Sequence, residues 1–206
     1  IGVKREPQGI ASGYLHEHVQ VGDELEASAP RGNFILHPGE EPVVLASAGI
    51  GITPMLSILH ALAASRSSRN VRWIYGARNG AHHPFADETR TLLARLPNAN
   101  ANVLYSDPDV SDTPGRRYDA RGRVTMRVLE QIRVPRNAEF FLCGPSGFMR
   151  DLRTGLVDYG VSPDHLHIEV FGPGASGTPG LINERHRAPH SLDDVAGLFS
   201  ISFARS

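Results

Sequence analysis

Two glycine-bearing turns stand where a backbone can meet a phosphate. Gly49-Ile50-Gly51-Ile52-Thr53-Pro54 follows the apolar run Val43–Ser47, and Cys143-Gly144-Pro145 closes the run that begins at Glu139. Glycines let the chain approach an anion, and the first-turn N–H groups and dipole of a following helix favour negative charge. The spacing is not Gly-x-Gly-x-x-Gly, because Thr53-Pro54 follows, and a plain strand-to-helix turn explains the same residues. Cys143 is the only cysteine and is open to three readings: a nucleophile, a buried small hydrophobe, or a small polarizable wall against a planar ring. No His or Asp at motif spacing activates it, so the wall is preferred. Arg78, in Gly76-Ala77-Arg78-Asn79, is placed to accept a 2′-phosphate, and no acidic residue in that stretch holds a ribose diol. The chain has ten histidines. His165 and His167 share a strand face, His16 and His18 are two apart, and His82 and His83 are adjacent. A zinc centre needs three or four converging ligands with partners of their own, so no metal is expected.

These residues need elements to hold them. Val43–Ser47, Val71–Tyr75, Asn102–Ser106, Glu139–Cys143 and His165–Phe171 read as five strands. The first is apolar without alternation, which suits a strand buried on both faces. Thr53 is expected to cap the next helix with Pro54 at its first position, and Met55, Ile58, Leu59 and Leu62 line one face. Phe85–Leu96 reads as a second helix, and Thr125 as the cap of a third bearing Val128, Leu129 and Ile132. A fourth carries Met149, Leu152 and Leu156 and stops near Gly160. Residues 107 to 123 read as a loop. Strands alternating with helices predict an α/β fold with a five-stranded, parallel, doubly wound sheet and ligands at the carboxyl ends of the strands. Residues 1 to 36 lack a long helix. They offer strands at Ile1–Arg5, Asp23–Ala27 and Phe34–Leu36, like the later part of a small antiparallel barrel. Residues 172 to 190 look like a linker, and Leu198–Phe203 alternates like a further strand.

Composition bounds the reading. The 206 residues are 40% apolar and 21% charged, with 21 Lys+Arg against 22 Asp+Glu. No global field favours nucleic acid or an anionic membrane. A single cysteine excludes an intramolecular disulfide and a cysteine-held cluster within these residues. Pro42–Ser65 has no charged residue but carries Gly49, Gly51 and Pro54 mid-run, so a strand, turn and helix explain it better than a membrane span. The chain opens at Ile1 without Met or a signal peptide, and is expected to be a cytoplasmic fragment. No Gly-x-Ser-x-Gly elbow supports a hydrolase.

Gly49-Ile-Gly-Ile-Thr-Pro-Met, Tyr75-Gly-Ala-Arg, Phe141-Leu-Cys-Gly-Pro and Glu169-Val-Phe occur in that order. Together they resemble the pyridine-nucleotide domain of the ferredoxin–NADP reductase superfamily, nearest to oxygenase reductases and flavohaemoglobin-type reductases. The match covers roughly residues 1 to 172. In that family a flavin barrel comes first, and its phosphate helix opens with a Gly-x-x-Ser turn, which Gly9-Ile10-Ala11-Ser12 fits. Val3-Lys4-Arg5 fits the strand beside the flavin. The resemblance implies part of that barrel over 1–40, an NAD(P)-binding domain over 41–172, and over 173–206 a linker with a candidate first strand of a ferredoxin-like domain. Ser200–Ser206 carries the last point. The family's Arg-x-Tyr-Ser flavin strand is absent, so FAD or FMN binding is expected to be impaired.

The resemblance implies an NAD(P)H-dependent flavin oxidoreductase, with the pyrophosphate near Gly49, Gly51, Ile52, Thr53 and Pro54. Cys143, Gly144 and Pro145 would flank the nicotinamide, with Glu169 and Phe171 at the flavin–nicotinamide junction. Cys143 and Glu169 take the catalytic roles. Electrons would leave to a ferredoxin-like domain, an oxygenase or a haem acceptor, and any 2Fe-2S cluster would lie beyond this chain. The family favours NADH and Arg78 favours NADPH, so the choice stays open with NADH preferred. The alternative is an electron-transfer docking fragment that binds nucleotide without turnover.

Overall fold

The computed structural model describes residues 2–26 and 32–171. These divide into two units, 2–26 with Gly32, and 33–171. Sequence expectations beyond residue 171, including Leu198–Phe203 and the ferredoxin-like strand, lie outside the described residues.

In the first unit, α1 (Ile10–Glu17) starts after Gly9 and buries none of its residues. An Arg5–Glu17 ion pair and a 2.8 Å hydrogen bond from His16 Nε2 to the Val3 carbonyl hold the leading segment on this helix. The strands expected at Ile1–Arg5, Asp23–Ala27 and Phe34–Leu36 do not form in the described parts of those segments. A strand needs a ladder partner, and no described residue supplies one. Phe34 and Leu36 instead pack on the core of the second unit, where Phe34 stands edge-on to Phe141 at 5.3 Å.

The second unit is built on a six-stranded sheet in the order β4-β3-β2-β1-β5-β6, parallel at every pairing. The strands are β1 (Val43–Ala48), β2 (Val71–Ala77), β3 (Ala99–Tyr105), β4 (Ala120–Arg121), β5 (Glu139–Cys143) and β6 (Leu166–Glu169). Helices cover both faces, as parallel sheets require. On one face, α2 (Ile52–Ala64) and α3 (Ala86–Leu93) bury Met55, Leu59, Leu62 and Leu92 against Val43, Leu45 and Trp73. On the other, α4 (Met126–Gln131) and α5 (Ser146–Tyr159) bury Leu129, Leu152 and Leu156 against Val44, Ala46 and Phe140. Alternate residues of β1 thus serve opposite cores, which explains its unbroken apolar run.

Several sequence expectations are corrected. The 107–123 segment carries the sixth strand, β4, paired through Leu104↔Ala120 and Tyr105↔Arg121. It spans two exposed residues and leaves no pattern to read. α2 begins at Ile52, so Thr53 does not cap it and Pro54 is its third residue. Gly49–Gly51 forms a 3-10 turn that runs straight into the helix. β6 ends at Glu169, short of the expected Phe171. Thr125 occupies the start of α4, but its side chain makes no capping hydrogen bond. Gly160 does stop α5, at φ 99°.

His165 and His167 share a face as expected, and both turn to Glu139 at the amino end of β5. His165 Nδ1 and His167 Nε2 each lie 2.6 Å from one carboxylate oxygen. Burial pushes the Glu139 carboxyl up, but the hydrogen bonds from His167 and His165 outweigh it and leave the group below its ordinary 4.5. A depressed carboxylate stabilises the fold fully above its unfolded value and loses that contribution as pH falls through the folded one. Glu139→Gln is therefore expected to lower the melting temperature at neutral pH. Its deficit against the parent should shrink as pH drops below the ordinary carboxylate range. Thermal unfolding of both proteins across that window checks this, and a deficit unchanged by acid would contradict it.

Candidate functional site

Strand order reverses at β1. From there the chain steps outward through β2, β3 and β4, then returns to place β5 on the opposite side. Ligands in open parallel sheets settle in the crevice at such a reversal, beyond the carboxyl ends of the strands. Both glycine turns lie there, at the ends of β1 and β5.

They do so by touching. A Cβ on Gly51 would collide with the Cys143 carbonyl oxygen, 2.5 Å from its carbon and 2.8 Å from Gly144 N. A Cβ on Gly144 would lie 2.8 Å from the Phe148 ring and 3.2 Å from Ala48 N. Gly49 is glycine for another reason. Its φ is 56° with open space around it, a left-handed conformation that costs other residues about 1–2 kcal/mol. Tyr75 Oη donates to the Gly49 carbonyl at 3.1 Å, and Thr53 Oγ1 donates to the Ile50 carbonyl at 3.0 Å. No side chain caps α2, and no acidic residue stands in its first turn. The same is true of α5, which follows Pro145. Two uncapped helix starts thus meet one crevice, an arrangement suited to a diphosphate. Tyr75 opens one of the four sequence motifs but was given no role of its own, because a tyrosine in an apolar strand reads as core.

Cys143 is fully buried. Burial, and then the Glu169 charge, push its thiol up to about 12, which removes it from nucleophilic chemistry at neutral pH. Glu169 faces Cys143 in register. Burial raises its carboxyl, partly offset by a hydrogen bond from the Val170 backbone. Phe171 is half-exposed just beyond β6. Ser47 pairs in register with both Tyr75 and Cys143 and is fully buried, and its hydroxyl has no partner. Its one sequence signal is a lone hydroxyl in an apolar run.

Arg78 lies at the end of β2, exposed, with Nη2 3.3 Å from Asp107 Oδ2. The acidic group missing after the second strand is thus supplied from just beyond the third, where sequence reading saw a loop.

In the first unit, Gly9 precedes α1 without a side-chain cap. Its α-carbon is crowded: a Cβ would meet Ser12 Oγ and stand 3.1 Å from Glu6 Cβ. Ser12 Oγ accepts from Glu6 N at 3.2 Å and donates to the Gly9 carbonyl at 3.3 Å. Ile10 and Ala11 open the helix, and an open groove of about 630 Å³ runs along Gly9, Ile10, Gly13 and Tyr14. The groove is also lined by Arg5, Glu6 and Glu17. Lys4 is drawn 2.8 Å from Glu6 and Val3 is engaged by His16.

Among the described residues no group of three or more His, Cys, Asp or Glu side chains could hold a metal ion, and no helix is long and apolar enough to cross a membrane.

Residues 45–154 match the oxidoreductase NAD-binding domain family. The chain is 43% identical over 179 residues to a flavohemoprotein of Chromobacterium violaceum, covering 84% of this chain and 44% of that protein. It therefore spans under half the length of that relative. The flavohem-like FAD/NAD binding domain of nitric oxide dioxygenase from Vibrio cholerae superposes with a TM-score of 0.69 at 37% identity, over 80% of this chain and 65% of that one. Flavohemoglobin from Malassezia yamatoensis, with FAD and heme bound, gives 0.66 at 28% identity, over 82% of this chain and 43% of that one.

Proposed function

The chain belongs to the oxidoreductase NAD-binding domain family, and on that premise we propose that it is the reductase part of an NAD(P)H-dependent flavin oxidoreductase. The carrying observation is the contact of Gly51 with Cys143 and Gly144, which brings two uncapped helix starts to the reversal of the sheet. The α2 amides would hold the pyrophosphate, with Gly49 and Gly51 keeping side chains out of its way. Gly144 and Pro145 would present a low wall on which a nicotinamide ring can lie, with the fully buried Cys143 as the small core side chain behind them and not the wall expected from sequence. Glu169, its carboxyl raised by burial, and Phe171 would bound the junction and limit water there. A flavin, when bound, supplies a hydride acceptor that hands electrons on singly. The FAD-bearing relatives favour FAD over FMN. They also favour a haem acceptor, as in a flavohemoprotein, over an iron–sulfur one.

Titration of the chain with NADH and with ADP-ribose tests the nucleotide site. Both are expected to bind competitively, because they share the diphosphate for which the two helix starts are placed. A folded chain that binds neither would overturn the reading. In the full-length protein, NADH should reduce the flavin and then an artificial one-electron acceptor.

Asp107 sets the coenzyme. It neutralises Arg78 and offers a carboxylate to a ribose diol, so NADH is preferred. Asp107→Asn should release Arg78 for a 2′-phosphate. The ratio of NADPH to NADH affinity is expected to rise about tenfold, worth ~1.4 kcal/mol. Parallel titrations with the two nucleotides read it, and an unchanged ratio would remove Asp107 from this role.

A further inference from the structure

Away from both glycine turns, a cavity of about 160 Å³ lies between α3 and the β2–β3 part of the sheet, flanked by the 116–119 segment. That is close to the ~150 Å³ of a cavity that takes benzene. Three of the side chains lining it carry a buried polar atom with no hydrogen-bond partner among the described residues: Trp73 Nε1, His83 Nε2 and Thr89 Oγ1. Trp73 is fully buried and Thr89 nearly so. His83 is fixed by its other nitrogen, 2.9 Å from Tyr105 Oη, and packs on the Tyr75 ring at 4.6 Å. A buried polar atom without a partner carries its full desolvation cost, and three on one cavity call for a shared partner.

The rim indicates what that partner is. Arg90, Arg116 and Arg117 all line the cavity. Arg90 pairs with Asp87 at 2.6 Å, whereas Arg116 and Arg117 have no ion-pair partner among the described residues. Asp119, the carboxylate among the lining residues, accepts a hydrogen bond from the Val103 backbone N–H at 2.7 Å. An indole N–H and guanidinium groups only donate, so the missing partner must bring lone pairs and negative charge. The Arg90 and Arg117 charges reach inside: after burial, they are the groups that hold His83 low, at about 4. The imidazole is therefore neutral and offers Nε2 as donor or acceptor.

We propose that this cavity is a binding site for a small oxyanion, held by Trp73 and Thr89 within and by Arg116 and Arg117 at the rim. Two sources share that chemistry: inorganic phosphate, and a carboxylate on a short apolar body that would rest on Leu93 and Val103. Trp73 is the only tryptophan in the chain, so its emission reports the site directly. The experiment titrates the chain with phosphate, with benzoate and with uncharged benzamide at constant ionic strength, following Trp73 fluorescence. At least one anion is expected to give a saturable change and benzamide none, and whichever anion saturates identifies the source. Arg117→Gln and Thr89→Val should each weaken binding about tenfold or more. Arg117 is exposed, so its variant keeps the core intact if Thr89→Val disturbs packing. No saturable response to either anion would overturn the proposal, as would a response that both substitutions leave unchanged.

Discussion

A Gly51→Ala chain is expected to melt about 2–12 °C below the parent and to bind NADH at least tenfold more weakly. Both effects have one cause. The new Cβ would meet the Cys143 carbonyl and the Gly144 amide, which are backbone atoms that cannot rotate aside. Such overpacking costs about 1–3 kcal/mol, and in a domain of this size each kcal/mol moves the midpoint by about 2–4 °C. To relieve the clash, the ends of β1 and β5 must part. That separates the two helix starts that converge on the diphosphate, and a tenfold loss of affinity corresponds to ~1.4 kcal/mol. Gly49→Ala is the matched control. Its Cβ would point into open space, so only the left-handed φ is strained, at about 1–2 kcal/mol. Thermal unfolding and nucleotide titration of both variants separate collision from strain. If Gly51→Ala were no less stable than Gly49→Ala and bound NADH like the parent, the junction would not be what holds the site.

The reason for Gly51 differs from the one its sequence context suggests. A glycine before a helix reads as room for a phosphate. The structure shows that Gly51 first makes room for another part of its own chain, at the end of β5. That contact joins residues far apart in sequence, so no local spacing announces it. The same limit hid Asp107, whose partner Arg78 belongs to the neighbouring strand, and β4, which exists only because Tyr105 and Leu104 offer it a ladder. What was legible depended on repetition within a segment. The unbroken apolar run of β1, the helical spacing of Met55, Leu59 and Leu62, and the stop at Gly160 each state their structure locally. The barrel-like strands at the amino end failed for the complementary reason. Extended sequence patterns specify a strand only when a partner is at hand, and among the described residues none pairs with them. Gly9 and Ser12 were named through family resemblance alone, and what the structure adds is that the two pack against each other.

Cys143 is expected to resist alkylation in the native chain. Its thiol stands at about 12 against an ordinary 9.0. At any pH below both values that leaves far less thiolate than an ordinary cysteine has, and the thiolate is the reacting species. Burial of the side chain slows reagent access further, so iodoacetamide at mildly alkaline pH should modify the native chain on the order of a hundredfold more slowly than the urea-unfolded chain, or slower still. Mass spectrometry of timed samples reads the difference. Glu169 contributes to the raised value after burial does, so Glu169→Gln should speed native alkylation, though by less than unfolding does. A fast native reaction, or a covalent adduct trapped on Cys143 during turnover, would restore the nucleophile reading. The measured slowness would instead fit a side chain whose use is its small size. At the end of β5, against the Gly51 turn, anything larger than a thiol would spread the same junction that Gly51 keeps closed. Cys143→Ala should then leave the nucleotide site intact, and Cys143→Ser should fold as well, because its hydroxyl would stand in register with the partnerless Ser47 hydroxyl and each can offer the other a hydrogen bond.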